Sequence, residues 1–362
     1  MSKIGVYKNN KDKLRYGAIL SHCCIVIVLL FVFGNTYAEV KFQGETNIFY
    51  TDDVAIFSAS RRLSLREDPT QPFLERTGVG DDVIYEPAAK VEKILHPVWG
   101  IMKFEARAQG YLYSTHTRFN HGTYGAQVTQ ALPAGFNFIL RYHFGPDQFV
   151  GKNVNRREIS IVESDEVEEG SEHELLNRSL VSEKVTTHFG TTELEREIFE
   201  SVTLRILGRY GNRAYNRTFS HRDTDFWTTG THLEWEIIPG TELMLGYHFE
   251  RGLADGRKNS LLEDDVSYRN HYVAAELNTH LTPRLLMIIG FDFEQSFYTT
   301  NNISDEKFNG NEVVYQGDVE LRYKLFKTMH LRAGYQHAQR KFTFEGHAAV
   351  INTVMIGSIL KF

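Results

Sequence analysis

Ionisable side chains recur at every second residue in several stretches of this sequence, with apolar residues between them. Lys103, Glu105 and Arg107 alternate with apolar residues in the segment MKFEARA, residues 102–108. A period of two residues is that of a β-strand whose two faces differ in polarity. Ammonium, guanidinium and carboxylate groups on one face could hold water, bind charged solutes, or pair with one another. The charged residues for which we predict a place on this polar face are Lys103, Glu105, Arg107, Arg141, Arg205, Arg209, Glu234, Glu236, Glu250, Glu276, Asp292, Glu294, Asp318, Glu320, Arg322 and Arg332. We also place His188 on this face.

The two signs of charge are distributed unevenly along the chain. Basic side chains such as Arg141 and Arg205 dominate the polar face of the third to seventh predicted strands, and acidic ones such as Glu234 and Glu276 dominate the eighth to eleventh. Opposed walls of opposite charge would create a transverse field that orients dipolar solutes. The same groups could form ion-pair ladders that brace the structure, and the two interpretations are compatible.

A second cluster, Ser220, His221 and Asp223, contains the residue types of a hydrolase triad. A catalytic triad is assembled by the fold and recognised by its geometry, so neighbouring positions in the sequence are weak evidence for one. A structural or solvated histidine explains His221 more simply. We therefore predict that the protein is not an enzyme, and we keep a hydrolase as the alternative from a different class.

Residues 151–181 carry a run of acids that shows neither strand nor helix periodicity, and we predict a long, acidic, exposed loop. The carboxylates could capture divalent cations between lipopolysaccharide phosphates, because Ca²⁺ and Mg²⁺ prefer oxygen ligands. The run lacks the regular ligand spacing of a calcium loop, and solvated acids are the simpler interpretation. We predict no metal site and no cofactor. The acids are Glu163, Asp165, Glu166, Glu168, Glu169, Glu172 and Glu174.

Residues 1–38 have the three parts of a secretory signal peptide. A basic leader that includes Lys13 and Arg15 precedes an apolar run over residues 19–33, and Ala38 provides a small residue for cleavage before Glu39. The apolar run is shorter than the ~20 residues that a membrane-spanning helix needs, which disfavours an uncleaved anchor. We therefore predict an exported protein that begins at Glu39.

The exported part is acidic and contains no cysteine. The leader carries five of the 40 basic residues, one of the 46 acidic residues and both cysteines, which leaves 35 basic and 45 acidic residues and a net charge of −10. A nucleic-acid partner would favour a basic surface, so we predict none. The missing thiols exclude disulfides and thiolate metal sites in the exported chain.

The last 52 residues give the clearest strands. Val313, Tyr315 and Leu321 share one face of the first of them, and Glu320 and Arg322 share the other. An apolar face of this kind must be covered by more protein or by lipid, and only a closed barrel satisfies all strand hydrogen bonds inside a bilayer. The final strand ends on an aromatic residue, Phe362, which resembles the closing signal that the assembly machinery of bacterial outer-membrane barrels reads.

Continuing the alternation through the chain gives about 14 strands, with 12 or 16 as the alternatives. Pro97, Pro133, Pro239 and Pro283 fall at joins from even-numbered to odd-numbered strands. The first strand is predicted over residues 39–57. The long polar segments 58–78, 151–181, 254–265 and 301–310 fall at the other joins. This segregation is typical of outer-membrane barrels, which have short periplasmic turns and long extracellular loops. A lumen of this strand number lies between that of a filled eight-stranded barrel and that of a 16-stranded porin.

The closing segments "QGDVELRYKLFKTMHLRAGYQHAQRKFTF" and "NTVMIGSILKF", and more loosely the opening "TNIFYTDDVAIF", resemble the porins of the second β-barrel porin group. That group includes barrels associated with exopolysaccharide systems. The resemblance covers about the last sixty residues. It implies a monomeric or trimeric outer-membrane channel and provides no catalytic residues to carry over.

We therefore predict an all-β protein in which residues 39–362 form a single antiparallel, up-and-down transmembrane barrel in the cell outer membrane. The charged positions above are predicted to line a water-filled pore for passive diffusion of small hydrophilic solutes. The alternative function is a conduit or accessory subunit of an exopolysaccharide or envelope export system. The expected partners are the lipid bilayer, lipopolysaccharide, the barrel-assembly machinery, small hydrophilic solutes and, in an oligomer, further copies of the chain.

Overall fold

A computed structural model describes residues 39–63, 79–97, 100–154, 180–258, 263–343 and 348–362. Within these ranges the chain forms fourteen β-strands and one α-helix, α1 (Val54–Leu63), with short 3₁₀ segments in the connections. The strands are β1 (Glu39–Thr51), β2 (Asp82–Leu95), β3 (Met102–Tyr113), β4 (His121–Leu132), β5 (Phe136–Val154), β6 (Leu180–Phe199), β7 (Val202–Tyr215), β8 (Thr224–Ile238), β9 (Thr241–Ala254), β10 (Tyr268–Thr282), β11 (Leu285–Tyr298), β12 (Asn311–Lys324), β13 (Met329–Phe342) and β14 (Ala349–Lys361).

The strands close into a single barrel in which each strand pairs with its neighbours in the sequence and β14 pairs with β1. The closing pair is antiparallel and sets Thr46 opposite Ser358. At its end the Phe362 N–H donates to the Phe42 carbonyl at 2.8 Å, and the Phe42 N–H donates to the Phe362 carbonyl at 3.1 Å. Closure removes the unpaired strand edges of an open sheet. The predicted antiparallel up-and-down barrel of 14 strands is confirmed. The part of Phe362 in assembly stays a prediction.

The two faces of the wall differ as the alternation predicts. On β1, Phe42, Ile48 and Tyr50 point outward and are half exposed, whereas Asn47 and Thr51 point inward and are buried. The same division continues around the barrel, because directly paired residues share a face. An apolar outer face suits lipid, and a polar inner face needs water or polar partners.

The connections differ in length at the two rims. Six connections of two to six residues, such as Pro239-Gly240, lie on the rim that also holds both ends of the barrel; there the Lys361 N–H donates to the Thr328 carbonyl. We call this the short-turn rim. Seven connections lie at the opposite, long-loop rim; four of them are long, 52–81, 155–179, 255–267 and 299–310, and the other three, 114–120, 216–223 and 343–348, have six to eight residues. The predicted segregation of prolines and long polar segments is confirmed.

The connection after β1 differs from the sequence prediction. We expected the first strand to run to Phe57 and residues 58–78 to form a loop, but β1 ends at Thr51 and α1 follows. The Asp53 carboxylate accepts a hydrogen bond from the Ala55 N–H at 2.8 Å, which satisfies a free donor of the first helical turn. The spacing of the buried side chains Val54, Phe57 and Arg61 is helical rather than extended.

The predicted acidic loop lies mostly outside the described residues. Its two ends belong to strands, because β5 extends to Val154 and β6 begins at Leu180. The seven acids between them, and with them the divalent-cation hypothesis, fall in the part that is not described. The predicted signal peptide also lies outside the described ranges. Within those ranges, no helix has the length and apolar character that crossing a membrane requires.

Candidate channel interior

All sixteen charged residues predicted for the polar face occupy inward-facing positions of the barrel wall. The register shows this directly: Arg141 pairs with Thr191 and Thr191 with Arg209, so the three side chains form one inward row across β5, β6 and β7. Arg209 in turn pairs with Thr228, and Thr228 with Glu250. The predicted positions therefore surround a common interior. Their part in solute passage stays a prediction.

One inward assignment from the sequence was wrong. His188 was expected inside, but β6 turns its odd-numbered residues inward and His188 faces outward opposite Asn212. At this height β6 presents Val185 and Phe189 to the interior, and both are buried. Polarity failed to identify the face because this part of the interior is apolar.

Arginine and glutamate side chains pair along the inner wall of β5 to β9. Arg141 lies 2.5 Å from Glu193, and Arg205 lies 2.6 Å from Glu195 and 2.9 Å from Glu234. Further round the wall, Arg213 lies 3.4 Å from Glu250. This wall, which we call the arginine ladder, therefore joins basic and acidic residues through ion pairs. On these strands the arginines form the ion-pair ladder considered in the sequence analysis. They do not form a wall of unpaired basic side chains.

A second set of ion pairs spans the seam where the barrel closes. The Arg332 side chain donates to Glu320 at 2.7 Å and lies 3.7 Å from Glu45 on β1. Arg322 also donates to Glu320, at 2.5 Å. Glu45 was missed in the sequence, because its neighbours Gly44 and Thr46 give no apolar alternation at this point of the first strand. Glu193 and Glu195 were missed too, although they alternate with Leu194.

The inner wall of β10, β11 and β12 is acidic. Glu276, Asp292, Glu294 and Asp318 lie on these three strands at inward positions, and we call them the acidic wall. Neutral donors hydrogen-bond to it: the Tyr272 hydroxyl donates to Asp292 at 2.5 Å, and the Gln316 amide donates to the same carboxylate at 3.1 Å. A side chain at position 290 would collide with the Asp318 carboxylate, 2.3 Å from the place of its Cβ. Glycine at 290 therefore gives this carboxylate its room.

A cavity of about 260 Å³ lies between the acidic wall and the seam, in the half of the barrel nearer the short-turn rim. Six of its described lining residues are acidic and four are basic. Lys361 and Gln43 line it beside the rim, and Glu86 lines it near the middle of the barrel. The charged lining residues are Glu45, Glu86, Glu276, Asp292, Asp318, Glu320, Arg107, Arg322, Arg332 and Lys361.

The α1 helix fills part of the barrel above this cavity. It folds inward and lies closest to β14, β13 and β11. Phe57 is completely buried and packs edge-on against Phe49 of β1, with ring centroids 5.3 Å apart. Together with Tyr111, Phe119, Val185 and Ile351 these residues belong to one hydrophobic cluster in the interior. The cluster therefore packs α1 against β1 to β3, β5, β6, β13 and β14 in the half of the barrel nearer the long-loop rim.

A buried ion pair fixes α1 to the wall. Arg61 lies 2.5 Å from Glu86, and both side chains are at least nine-tenths buried. Glu86 also accepts hydrogen bonds from the amides of Asn47 at 3.2 Å and Gln109 at 2.8 Å. The Arg61 guanidinium stacks over Phe49, 4.8 Å from the ring centroid. Removing one partner of such a pair leaves an uncompensated buried charge and costs about 3–5 kcal/mol.

The loops of the long-loop rim are connected by a second buried network centred on Asp264. Its carboxylate accepts hydrogen bonds from Arg222 at 2.7 and 2.9 Å and from Lys307 at 3.1 Å, and it lies 2.6 Å from the His221 ring. Arg222 also donates to Glu183 of β6. Burial would raise the pKa of Asp264, but the His221 hydrogen bond and the charges of Arg222 and Lys307 outweigh it and hold that pKa well below its usual range. Three connections are thereby fastened to one carboxylate.

We expect this network to weaken in acid. Because folding lowers the pKa of Asp264, the carboxylate contributes stability that is fully present above its ordinary value of 3.8 and is lost as the pH falls below it. Hydrogen exchange of residues 216–223 and 299–310, corrected for the intrinsic pH dependence, should therefore increase below about pH 4. Asp264→Asn should show the faster exchange already at neutral pH. Equal protection of the variant and the wild type at neutral pH would contradict this.

The same network bears on the hydrolase alternative. His221 is 6% exposed and its Nε2 lies against a carboxylate that also binds Arg222 and Lys307. A general base must be within reach of a substrate proton. His221 instead holds loops together, which is the structural explanation favoured from the sequence.

Comparisons with known proteins agree on the fold. No family model matches the sequence, and no curated protein sequence matches it. Among solved structures, the outer membrane channel DcaP of Acinetobacter baumannii aligns with a TM-score of 0.50 and 9% identity, over 90% of this chain and 97% of that one. An anion-selective porin from Comamonas acidovorans aligns with a TM-score of 0.44 and 7% identity, over 90% and 99%. A bacterial polysaccharide outer membrane secretin aligns with a TM-score of 0.45 and 9% identity, over 88% and 98%. The chain has the closed-barrel fold of bacterial outer-membrane channels.

Proposed function

We propose that the protein is an outer-membrane channel through which small hydrophilic solutes diffuse passively. The observation that carries this proposal is the cavity of about 260 Å³ inside a closed barrel, lined by ten ionisable residues. Charged side chains that face the barrel interior are stable only when water or oppositely charged partners surround them. We therefore expect water around the charged side chains that line the cavity. The apolar outer face and the similarity of fold to a known channel support the membrane setting.

The α1 helix sets the size limit of this channel. With its side chains an α-helix is about 10–12 Å across, a large fraction of the width of a barrel of this size. Its buried contacts with the wall hold it in the path between the long-loop rim and the cavity. We therefore propose a narrow, low-conductance channel rather than a wide general pore.

The export, assembly and membrane orientation of the channel follow from the same proposal. Residues 1–38 would be removed on export, the assembly machinery would read Phe362, and the long-loop rim would face outward toward lipopolysaccharide. The sixteen inward charged residues would line or brace the solute path, and the chain could act alone or as an oligomer. The export-conduit alternative gains no support from the described residues.

Reconstitution in planar bilayers tests the proposal. We expect small, stepwise currents that scale with salt concentration, together with liposome swelling in small sugars and none in long oligosaccharides. A protein that is folded by its heat-modifiable gel mobility, yet silent both as wild type and with α1 removed, would overturn the proposal. Cleavage of added lipid or peptide would favour the hydrolase instead.

A further inference from the structure

Two arginines lie side by side on the outer face of the wall, near the long-loop rim. Arg251 of β9 pairs directly with Arg269 of β10, and both side chains are exposed. They have the parity of the paired residues Tyr247 and Val273, which are 43% and 42% exposed on the outer face. Directly opposed residues have Cβ atoms about 4.5–5.5 Å apart, and like charges in this relation destabilise the pair. Within the described part of the chain, neither guanidinium has a hydrogen bond or an ion pair.

The acids near this arginine pair do not neutralise it. Asp225 of β8 also faces outward, but its carboxylate accepts a hydrogen bond from the Asn212 amide at 2.9 Å. Glu263 lines the same cavity as Arg251, and among the described residues it forms no ion pair with either arginine. The other acids of that cavity accept hydrogen bonds within the loops; they are Asp264, Asp265 and Asp305. The positive charge of the arginine pair is therefore available to an external anion.

Aromatic side chains place the arginine pair at the level of lipid headgroups. Trp227 lies directly opposite Arg251, and Phe249 and His271 lie two residues from the arginines, toward the middle of the barrel. The rings of Trp227 and Phe249 are 5.4 Å apart, and those of Phe249 and His271 are 5.2 Å apart. Outer-membrane barrels carry such aromatic girdles at the membrane–water interface. The arginine pair lies on the rim side of the girdle, where the phosphate groups of lipids are found.

We propose that Arg251 and Arg269 together bind one phosphate group of an outer-leaflet lipid, which in the proposed membrane is lipopolysaccharide. The inference rests on the proposed outer-membrane setting and names the residues of the lipid contact. A guanidinium offers five N–H donors in a planar fork that matches phosphate oxygens, and two of them suit the charge of a phosphate monoester. The acyl chains of the lipid would cover Tyr247 and Val273 below the site, which a free phosphate ion could not do.

Native mass spectrometry of the signal-free protein in detergent micelles, titrated with lipid A, tests the site. The probe is lipid A with two phosphates, and its comparison is the same lipid with both phosphates removed. We expect the phosphorylated lipid to bind at least about tenfold more tightly, because charge-assisted hydrogen bonds are lost with the phosphates. Equal binding of the two lipids would overturn the proposal. So would displacement of lipid A by an equal concentration of inorganic phosphate, since the site would then take the free ion rather than the lipid.

Three variants locate the site. Arg251→Gln and Arg269→Gln should each weaken binding of the phosphorylated lipid by about tenfold and leave binding of the dephosphorylated lipid unchanged. Lys341→Gln is the matched control, because Lys341 is an exposed outward base of β13 near the same rim whose cross-strand partner is Val313. Its loss should change binding by less than about twofold.

Unfolding temperatures separate a lipid site from a role in holding the barrel together. Without phosphorylated lipid, Arg251→Gln and Arg269→Gln each remove a repulsion and should unfold at the wild-type temperature or slightly above it. Adding phosphorylated lipid A should raise the unfolding temperature of the wild type more than that of either variant. Clearly lower temperatures for both variants without lipid would show that the arginines stabilise the barrel itself, and would overturn the proposal.

The outcomes for the lipid site and for the channel are distinguishable. Unchanged binding of phosphorylated lipid A in both arginine variants would overturn the site and leave the conductance of the channel unaffected. Selective binding by a barrel that does not conduct would support the site and count against the channel.

Discussion

Removing α1 from the lumen is expected to raise single-channel conductance at least about threefold, because the helix occupies a large part of the barrel cross-section. The sharpest variant replaces residues 54–63 with a glycine-serine segment of equal length. It deletes Phe57 and Arg61, which anchor the helix to Phe49 and Glu86. Planar-bilayer recordings at fixed salt, with liposome swelling in sugars of increasing size, measure the change.

A single substitution should give an intermediate result. Arg61→Ala removes one partner of the buried pair with Glu86, at a cost of about 3–5 kcal/mol, and should release the helix intermittently. We expect currents that fluctuate between a small and a larger level. Arg118→Ala is the matched control, because Arg118 is an exposed arginine of the same rim that stacks on Phe119. Unchanged currents in the folded helix-replacement variant would place α1 outside the conduction path.

Reversing two charges of the arginine ladder is expected to destabilise the barrel and to shift its selectivity toward cations. Arg205→Glu with Arg209→Glu would set new carboxylates against Glu195, Glu234 and Glu250. Breaking a largely buried ion pair costs about 3–5 kcal/mol. We therefore expect a clearly lower temperature of unfolding. Heat-modifiable gel mobility, recorded at increasing temperature, measures it. Reversal potentials in a salt gradient measure the selectivity of whatever fraction remains folded.

A charge exchange separates the two effects. Arg205→Glu combined with Glu195→Arg restores one opposite pair and leaves the net charge of the lumen unchanged. It should recover much of the lost stability and return selectivity toward that of the wild type. If the double reversal leaves the unfolding temperature unchanged, the ladder does not brace the barrel. If the reversal potential is unchanged as well, these arginines do not border the solute path.

The interior of the barrel differs along its length. Near the long-loop rim, α1 and the hydrophobic cluster pack against one side of the barrel, buried ion pairs such as Arg340 with Glu312 lie on β12 and β13, and the Asp264 network connects three of the loops. Near the short-turn rim, the charged cavity is enclosed by the acidic wall and the seam.

Alternation in the sequence predicted the inward face correctly for most charged residues and failed at two places. The alternation around Lys103, Glu105 and Arg107 identified strand and face together, because a residue's side is fixed by its parity along a strand. The same reasoning failed at His188, where apolar Val185 and Phe189 face the packed interior. It also failed after Thr51, because the helical spacing of Val54, Phe57 and Arg61 begins within three residues of a strand end.

The sequence by itself determined the strand number, the closed up-and-down order, the rim asymmetry and the inward charged positions. These depend on local periodicity and turn chemistry, which each segment carries on its own. Only the tertiary structure decided which charges pair and that α1 enters the barrel. Those features depend on register between strands and on contacts between residues far apart in the chain, and closure of the barrel brings them together.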